Sequence, residues 1–255
     1  MNDFAQMIRI PEQKTSLSYL NQAGFILKTK SGETIGVDLY LTDCVERFDG
    51  FKRLSPKVAA PEELFLDYVV ASHWHLDHFD IDAMPFLMAN GKTRLICAED
   101  CKDHVAHLHL DESRVSYIKA GETLQCGDIT LHAVFCDHGT GAPLAVGFVF
   151  ELDGYKVYSA GDTCLRIDKA DDIKEMGPFD VMIAPINGAY GNLNEQDNVV
   201  LSAFLQPKLS IPCHFWTFAE HHGDPGLWMQ LIKEQLPGQK YRLMAPGEQI
   251  YFDEI

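Results

Sequence analysis

The sequence predicts an α/β fold in which two β-sheets pack together and helices cover them outside, a four-layer arrangement. Three observations predict it. Short apolar runs that read as strands recur along the 255 residues; helix candidates fall between them; and the histidines and acids able to carry chemistry sit where strands end. At 46% hydrophobic residues the chain can bury a sizeable core. No stretch rich in Pro, Gly or Ser divides it, so residues 1–255 are expected to form one domain.

The elements follow in order. GFILKT (24–29) and TIGVDLY (34–40) read as a hairpin joined at KSGE. YVVAS (68–72) is a buried strand, TRLICA (93–98) another, and a helix candidate begins at EDCKDHVAHL. RVSYIKA, ITLHAVF, AVGFVFEL and KVYSA form a block of strands, with AGETLQCGD and DGY as turns. Strand DVMIAPI, helix NEQDNVVLSAFL, strand KLSIPC, helix DPGLWMQLIKEQL and strand YRLMA then alternate. The stretch 46–64 has no clear periodicity.

Bulk properties exclude some functions. The net charge is −16, from 37 acidic and 21 basic residues, which argues against a general nucleic-acid binder. Seven cysteines without a CxxC pair read as free thiols in a reducing compartment. The first residues show no signal-peptide pattern, and no apolar run approaches membrane-spanning length. The expectation is a soluble, cytoplasmic protein whose partner is a small-molecule substrate, with no membrane or nucleic acid; a homo-oligomer stays open.

The segment SHWHLDHFD (72–80) places His73, His75, Asp77 and His78 together in the loop after a buried strand. Three more ligand-type residues fall at strand ends: His138 after LHAVF, Asp162 after KVYSA and His214 after KLSIP. Nitrogen and oxygen ligands of this kind suit Zn2+ or Mn2+, and iron is compatible. Seven ligands are too many for one tetrahedral ion and fill two. His73, His75 and His138 would take the first ion, and Asp77, His78 and His214 the second, with Asp162 shared. A lone histidine at a strand end is more often structural, so the crowding in HWHLDH carries the argument.

HWHLDH, His138, Asp162 in GDT and His214 resemble, in order and spacing, the ligand motifs of the metallo-β-lactamase fold superfamily. LNQAGFILKTKSGETIGVDLYLTD (20–43) resembles that family's opening hairpin, whose aspartate, here Asp38, supports the metal loop. The resemblance runs from about residue 18 to about residue 250. It implies the αββα sandwich and a dinuclear metal-dependent hydrolase working by attack of a metal-bridging hydroxide, with Asp77 positioning it and accepting its proton. Through the opening hairpin, PINGAYGN (185–192) and IPCHFWTF (211–218), the chain is most similar to the L-ascorbate-6-phosphate lactonase-like group. The implied substrate is a small polar metabolite with a lactone or ester bond. Asn187 and Tyr190 would face it, and Arg166 would bind a phosphate; the stretch 46–64 lies where the resembled family often places a substrate-covering loop, which makes it a lid candidate. Two alternatives stay open: a phosphodiesterase on a nucleotide or cyclic phosphate, and a metal-holding regulatory scaffold with little turnover.

Other residues read more plainly. Cys136, Cys164 and Cys213 flank the ligands, and Cys213 faces away from His214, as packing does. His104, His107 and His109 read as a solvated face. His221 and His222 read equally as pocket mouth or plain loop, and Trp74 as packing.

Overall fold

The computed structural model describes residues 13–255. Of the N-terminal stretch MNDFAQMIRIPEQK (1–14), read for a signal-peptide pattern, only Gln13 and Lys14 lie within the described residues.

One seven-stranded sheet contains β1 (Ser16–Asn21), β2 (Gly24–Lys28), β3 (Thr34–Val37), β4 (Tyr68–Ala71), β5 (Arg94–Ala98) and β6 (Val115–Ile118), and β14 (Gln249–Tyr251) pairs outside β1. The second contains β7 (Thr123–Cys126), β8 (Ile129–Phe135), β9 (Val146–Leu152), β10 (Tyr155–Ser159), β11 (Val181–Pro185), β12 (Leu209–Cys213) and β13 (Lys240–Tyr241), in that spatial order. Each sheet is antiparallel on one side and parallel on the other. In the first, β3 to β6 run parallel; in the second, β10 to β13 do.

The inner faces share one apolar core. β8 shows why its residues choose a strand: Ile129, Leu131 and Ala133 are buried, while Thr130 and His132 between them are only half-buried. Phe25 of β2 meets Phe150 of β9 edge-on, centroids 6.2 Å apart, across the sheets. Outside the second sheet, α4 (Asp171–Glu175) and α5 (Glu195–Leu205) lay Ile173, Leu201 and Leu205 on Tyr158 and Met182. Asn194 caps α5 by accepting from Asp197 N, and Asp197 returns a bond to the Asn194 amide. Trp228 of α6 (Pro225–Gln235) is fully buried, its indole N–H donating to Asn198 of α5. On the first sheet's side, α2 (Met84–Met88) and α3 (Lys102–His107) contribute Met84, Leu87 and Val105 to the core. The four-layer arrangement is as expected.

Several elements differ from their sequence reading. β1 and β14 were not expected. The stretch read as the turn AGETLQCGD contains β7. Only Tyr241 of YRLMA lies in a strand, and β3 stops at Val37. The lid candidate begins inside α1 (Cys44–Asp49).

Topology gathers the site. β8 and β10 both run antiparallel to β9, so they point the same way as β11 and β12. The chain therefore leaves β8, β10 and β12 at one edge of the second sheet, and His138, Asp162 and His214 follow those three exits.

Candidate metal centre

The ligand atoms converge. His73 Nε2 lies 2.9 Å from His75 Nδ1, which lies 3.1 Å from His138 Nε2. His78 Nε2 lies 3.2 Å from Asp162 Oδ1 and 3.7 Å from Asp77 Oδ2. His214 Nε2 lies 3.1 Å from Asp162 Oδ2 and 3.2 Å from Asp77 Oδ2. Two ligands on a tetrahedral ion with ~2.1 Å bonds sit about 3.4 Å apart, so these separations match ion-binding geometry. Three groups could each hold an ion: His73, His75 and His138; His73, His78 and Asp162; Asp77, His78 and His214. Asp162 turns Oδ1 toward His78 and Oδ2 toward His214, and the same Oδ2 lies 3.8 Å from His138 Nε2, so its carboxylate faces residues of both expected ion groups.

The donor set fits a divalent cation on two further grounds. His78 Nε2 and Asp162 Oδ1 are buried and, though 3.2 Å apart, are not aligned for a hydrogen bond to each other or to any neighbour, a costly state that a cation relieves. The electrostatics also call for positive charge. Burial works against ionised Asp77 and Asp162, yet the imidazoles of His78 and His214 hold both carboxyls well below their usual range. Burial likewise opposes charge on His78 and His214, but the same carboxylates raise both, His214 to about 9. Burial first, and then the neighbouring imidazoles, pull the other three down, His75 to about 4, leaving neutral imidazoles ready to ligate.

Local structure fixes these side chains. Asp38, 1% exposed, accepts from Ser72 N at 2.7 Å and sits 3.0 Å from His78 Nδ1, directing His78 Nε2 at the cluster. Ser72 Oγ lies 3.0 Å from His73 Nδ1. Gly161, just before Asp162, has φ +63°, and a Cβ there would come within 2.9 Å of Val146 O, so only glycine fits. His214 itself holds a left-handed backbone at φ 58°.

Sequence reading missed two residues at the centre. Gln22, fully buried in the β1–β2 turn, donates Nε2 to Asp77 Oδ2 at 2.6 Å and lies 3.0 and 3.1 Å from His214 Nε2 and His221 Nδ1. Its carbonyl accepts from His214 N, tying the opening turn to the last ligand. Asn192 donates to Asp162 Oδ2 at 2.8 Å. Neutral amides carry no ligand signature; the available signal was their place in turns beside ligand-bearing strands.

The cluster opens into a recess of about 1120 Å³. Tyr190 lines it, as do His221, stacked 4.7 Å from His214, and Val45, Phe48 and Phe51 near the start of the lid candidate. Asn187 and Arg166 are not among the lining residues. Asn187 is 2% exposed, and the Arg166 guanidinium pairs with both Asp137 and Asp168. Cys213 is buried and Cys136 donates to Asp162 O, so both are packed rather than ligating in this arrangement. His104, read as solvated, instead lies half-buried against Trp74 O at 2.9 Å and lines the recess with His107. Trp74 also faces it.

Two stacked mixed sheets with a His/Asp cluster on their exit loops define a protein of the metallo-β-lactamase fold. The chain belongs to the β-lactamase superfamily: the model for the "beta-lactamase superfamily domain" matches residues 16–214. A UPF0173 metal-dependent hydrolase of Staphylococcus aureus is 27% identical over 200 residues, covering 75% of this chain and 84% of that protein. A possible metal-dependent hydrolase of Veillonella parvula superposes with TM-score 0.73 at 21% identity, covering 93% of this chain and 99% of the other. A metallo hydrolase of Ignicoccus hospitalis superposes with TM-score 0.71 at 22% identity, covering 93% and 98%.

Proposed function

We propose that the chain is a dinuclear metal-dependent hydrolase acting on a lactone or related ester of a small molecule. The observation that carries this is the set of three overlapping candidate ligand groups opening into one recess, the group that contains Asp162 sharing His73 with the first and His78 with the third. His73, His75 and His138 would hold one ion, Asp77, His78 and His214 the other, with Asp162 shared. When bound, two divalent ions (Zn2+ or Mn2+, iron being compatible) supply charge that acidifies water and polarises a carbonyl.

The chain's own residues do the rest. Asp77 Oδ2 is held by Gln22 and faces the cluster, placed to accept a proton from water. Asn192 and His214 keep the Asp162 carboxylate turned into the cluster. Over the reaction, the water oxygen joins the carbonyl carbon, the acyl C–O bond breaks and the ring oxygen takes a proton, giving a hydroxy acid. A phosphodiester is the weaker reading, because no Lys or Arg lines the recess among the described residues.

The test joins metal analysis to a substrate screen. Gently purified protein should carry close to two divalent ions per chain and cleave a lactone in preference to a cyclic phosphodiester or a thioester. His75→Ala should lose metal and nearly all turnover while its circular dichroism stays native. Wild-type turnover in that variant would remove His75 from the site. Two bound ions with no turnover on any panel member would favour the scaffold alternative.

A further inference from the structure

Beyond the ligands, the recess has a wall that the proposed chemistry leaves unused. Phe48 and Phe51 at the end of α1, Trp74 and Leu76 of the ligand loop, and Tyr190 of the β11–α5 loop line it. Phe48 is 59% exposed and Tyr190 60%, so both rings reach water, with the Arg47 guanidinium 4.8 Å from the Phe48 centroid on one side. The Phe51 ring is 6.2 Å from Tyr190 and 6.0 Å from His221, and His221 stacks on His214. The aromatic surface is thus continuous with the metal cluster. Trp74 spends its only polar atom on Gly141 O, at 2.9 Å, and offers the recess ring surface alone.

Charge points the same way. Among the described residues, the ionised side chains lining the recess away from the ligands are Asp49 and Asp137. The nearby guanidinium groups are engaged elsewhere: Arg47 with Asp82, Arg53 with the carbonyls of Tyr40 and Thr42, Arg166 with Asp137 and Asp168. An anionic substituent seated on this wall would lose its water and meet no guanidinium that lacks a carboxylate or carbonyl partner. The recess is also larger than a reacting carbonyl needs, with room for a drug-sized group.

We propose that the substrate is neutral and carries an aromatic or branched apolar group, which sits between the end of α1 and Tyr190 and presents the reacting carbonyl to the cluster. The proposal rests on the hydrolase reading for the bond that reacts. It replaces the expected phosphate on the substrate with an uncharged, apolar one.

Two measurements on metal-loaded protein test it. The first is fluorescence titration with neutral N-phenyl-1-naphthylamine and with its anionic analogue 8-anilinonaphthalene-1-sulfonate. The neutral dye should bind about tenfold more tightly than the sulfonate. Phe48→Ala and Tyr190→Ala should each weaken neutral-dye binding about threefold or more, with unchanged thermal unfolding as the control for folding. Equal binding of the two dyes, or neutral binding unmoved in both variants, overturns the proposal. The second compares kcat/KM for a phenyl-substituted and a carboxylate-substituted γ-lactone. The phenyl compound should lead, and its lead should shrink in both variants. A preference for the carboxylate overturns the aromatic recess while leaving the hydrolase reading intact. Dye binding as expected with no lactone cleaved overturns the lactone reading while the recess stands.

Discussion

Asp38 shows how much one residue outside the ligand set controls. Its left-handed backbone (φ 47°) turns the chain at the end of β3, and one carboxylate then joins the Ser72 amide to the His78 ring. Asp38→Ala should weaken metal binding about 10- to 100-fold, since the partners that orient ligands carry effects of that size. It should also cost about 1–3 kcal/mol of stability by orphaning a buried N–H. Chelator competition and urea unfolding measure the two losses; wild-type metal affinity in the variant would leave Asp38 only a structural role. Of the site itself, the convergence of the candidate ligands was legible because HWHLDH is improbable as a plain loop and His138, Asp162 and His214 follow strand ends. Gln22 and Asn192 were not, because a neutral amide becomes functional only through what the fold places beside it. Arg166 misled for a related reason: closeness in sequence to Asp162 says nothing about the two aspartates that engage it.

At the level of elements, long alternating or apolar strands such as β8 and β9 announced themselves, and short or polar ones did not. β1 (SLSYLN) alternates polar and apolar over only its first four residues, too short a run to stand out, although all six residues are buried. β7 is an edge strand whose Thr123 and Gln125 are exposed, and polar edges resemble turns. β14 has three residues and depends on β1 for its pairing. The turn entering α3 carries a testable burden. Asp100 Oδ2 is buried without a partner, and burial lifts its carboxyl to about 6. A raised carboxyl favours the protonated fold, so its penalty is absent at low pH and complete above about pH 6. Asp100→Asn should therefore raise Tm at pH 7 and lose that advantage as pH falls toward 4. Thermal melts across this range decide it; an equal effect at both ends would mean that charge is not the cause.

Across the whole molecule, the proposed ions would join the two sheets, since one ligand loop leaves β4 and the others leave β8, β10 and β12. Such a site exists only in the folded chain, so metal should stabilise by mass action. A hundredfold excess over Kd contributes about 2.7 kcal/mol, or a Tm increase of roughly 5–10 °C for a domain this size. Mn2+ is the better probe, because the seven free cysteines would bind Zn2+ in the unfolded chain. Differential scanning fluorimetry with and without chelator checks the shift, and no change in Tm would count against the centre.

The pairing of β1 with β14 sets Ser16 opposite Tyr251 and Ser18 opposite Gln249. Its consequence lies in time. During translation, β1 emerges early, and its outer neighbour is made 251 − 16 = 235 residues later. At about 5–20 residues per second, that is roughly 12–47 s in which the edge of β1 has no native partner. The ribosome-bound chain therefore passes through a period in which this edge is open to mispairing, and slower translation would lengthen it.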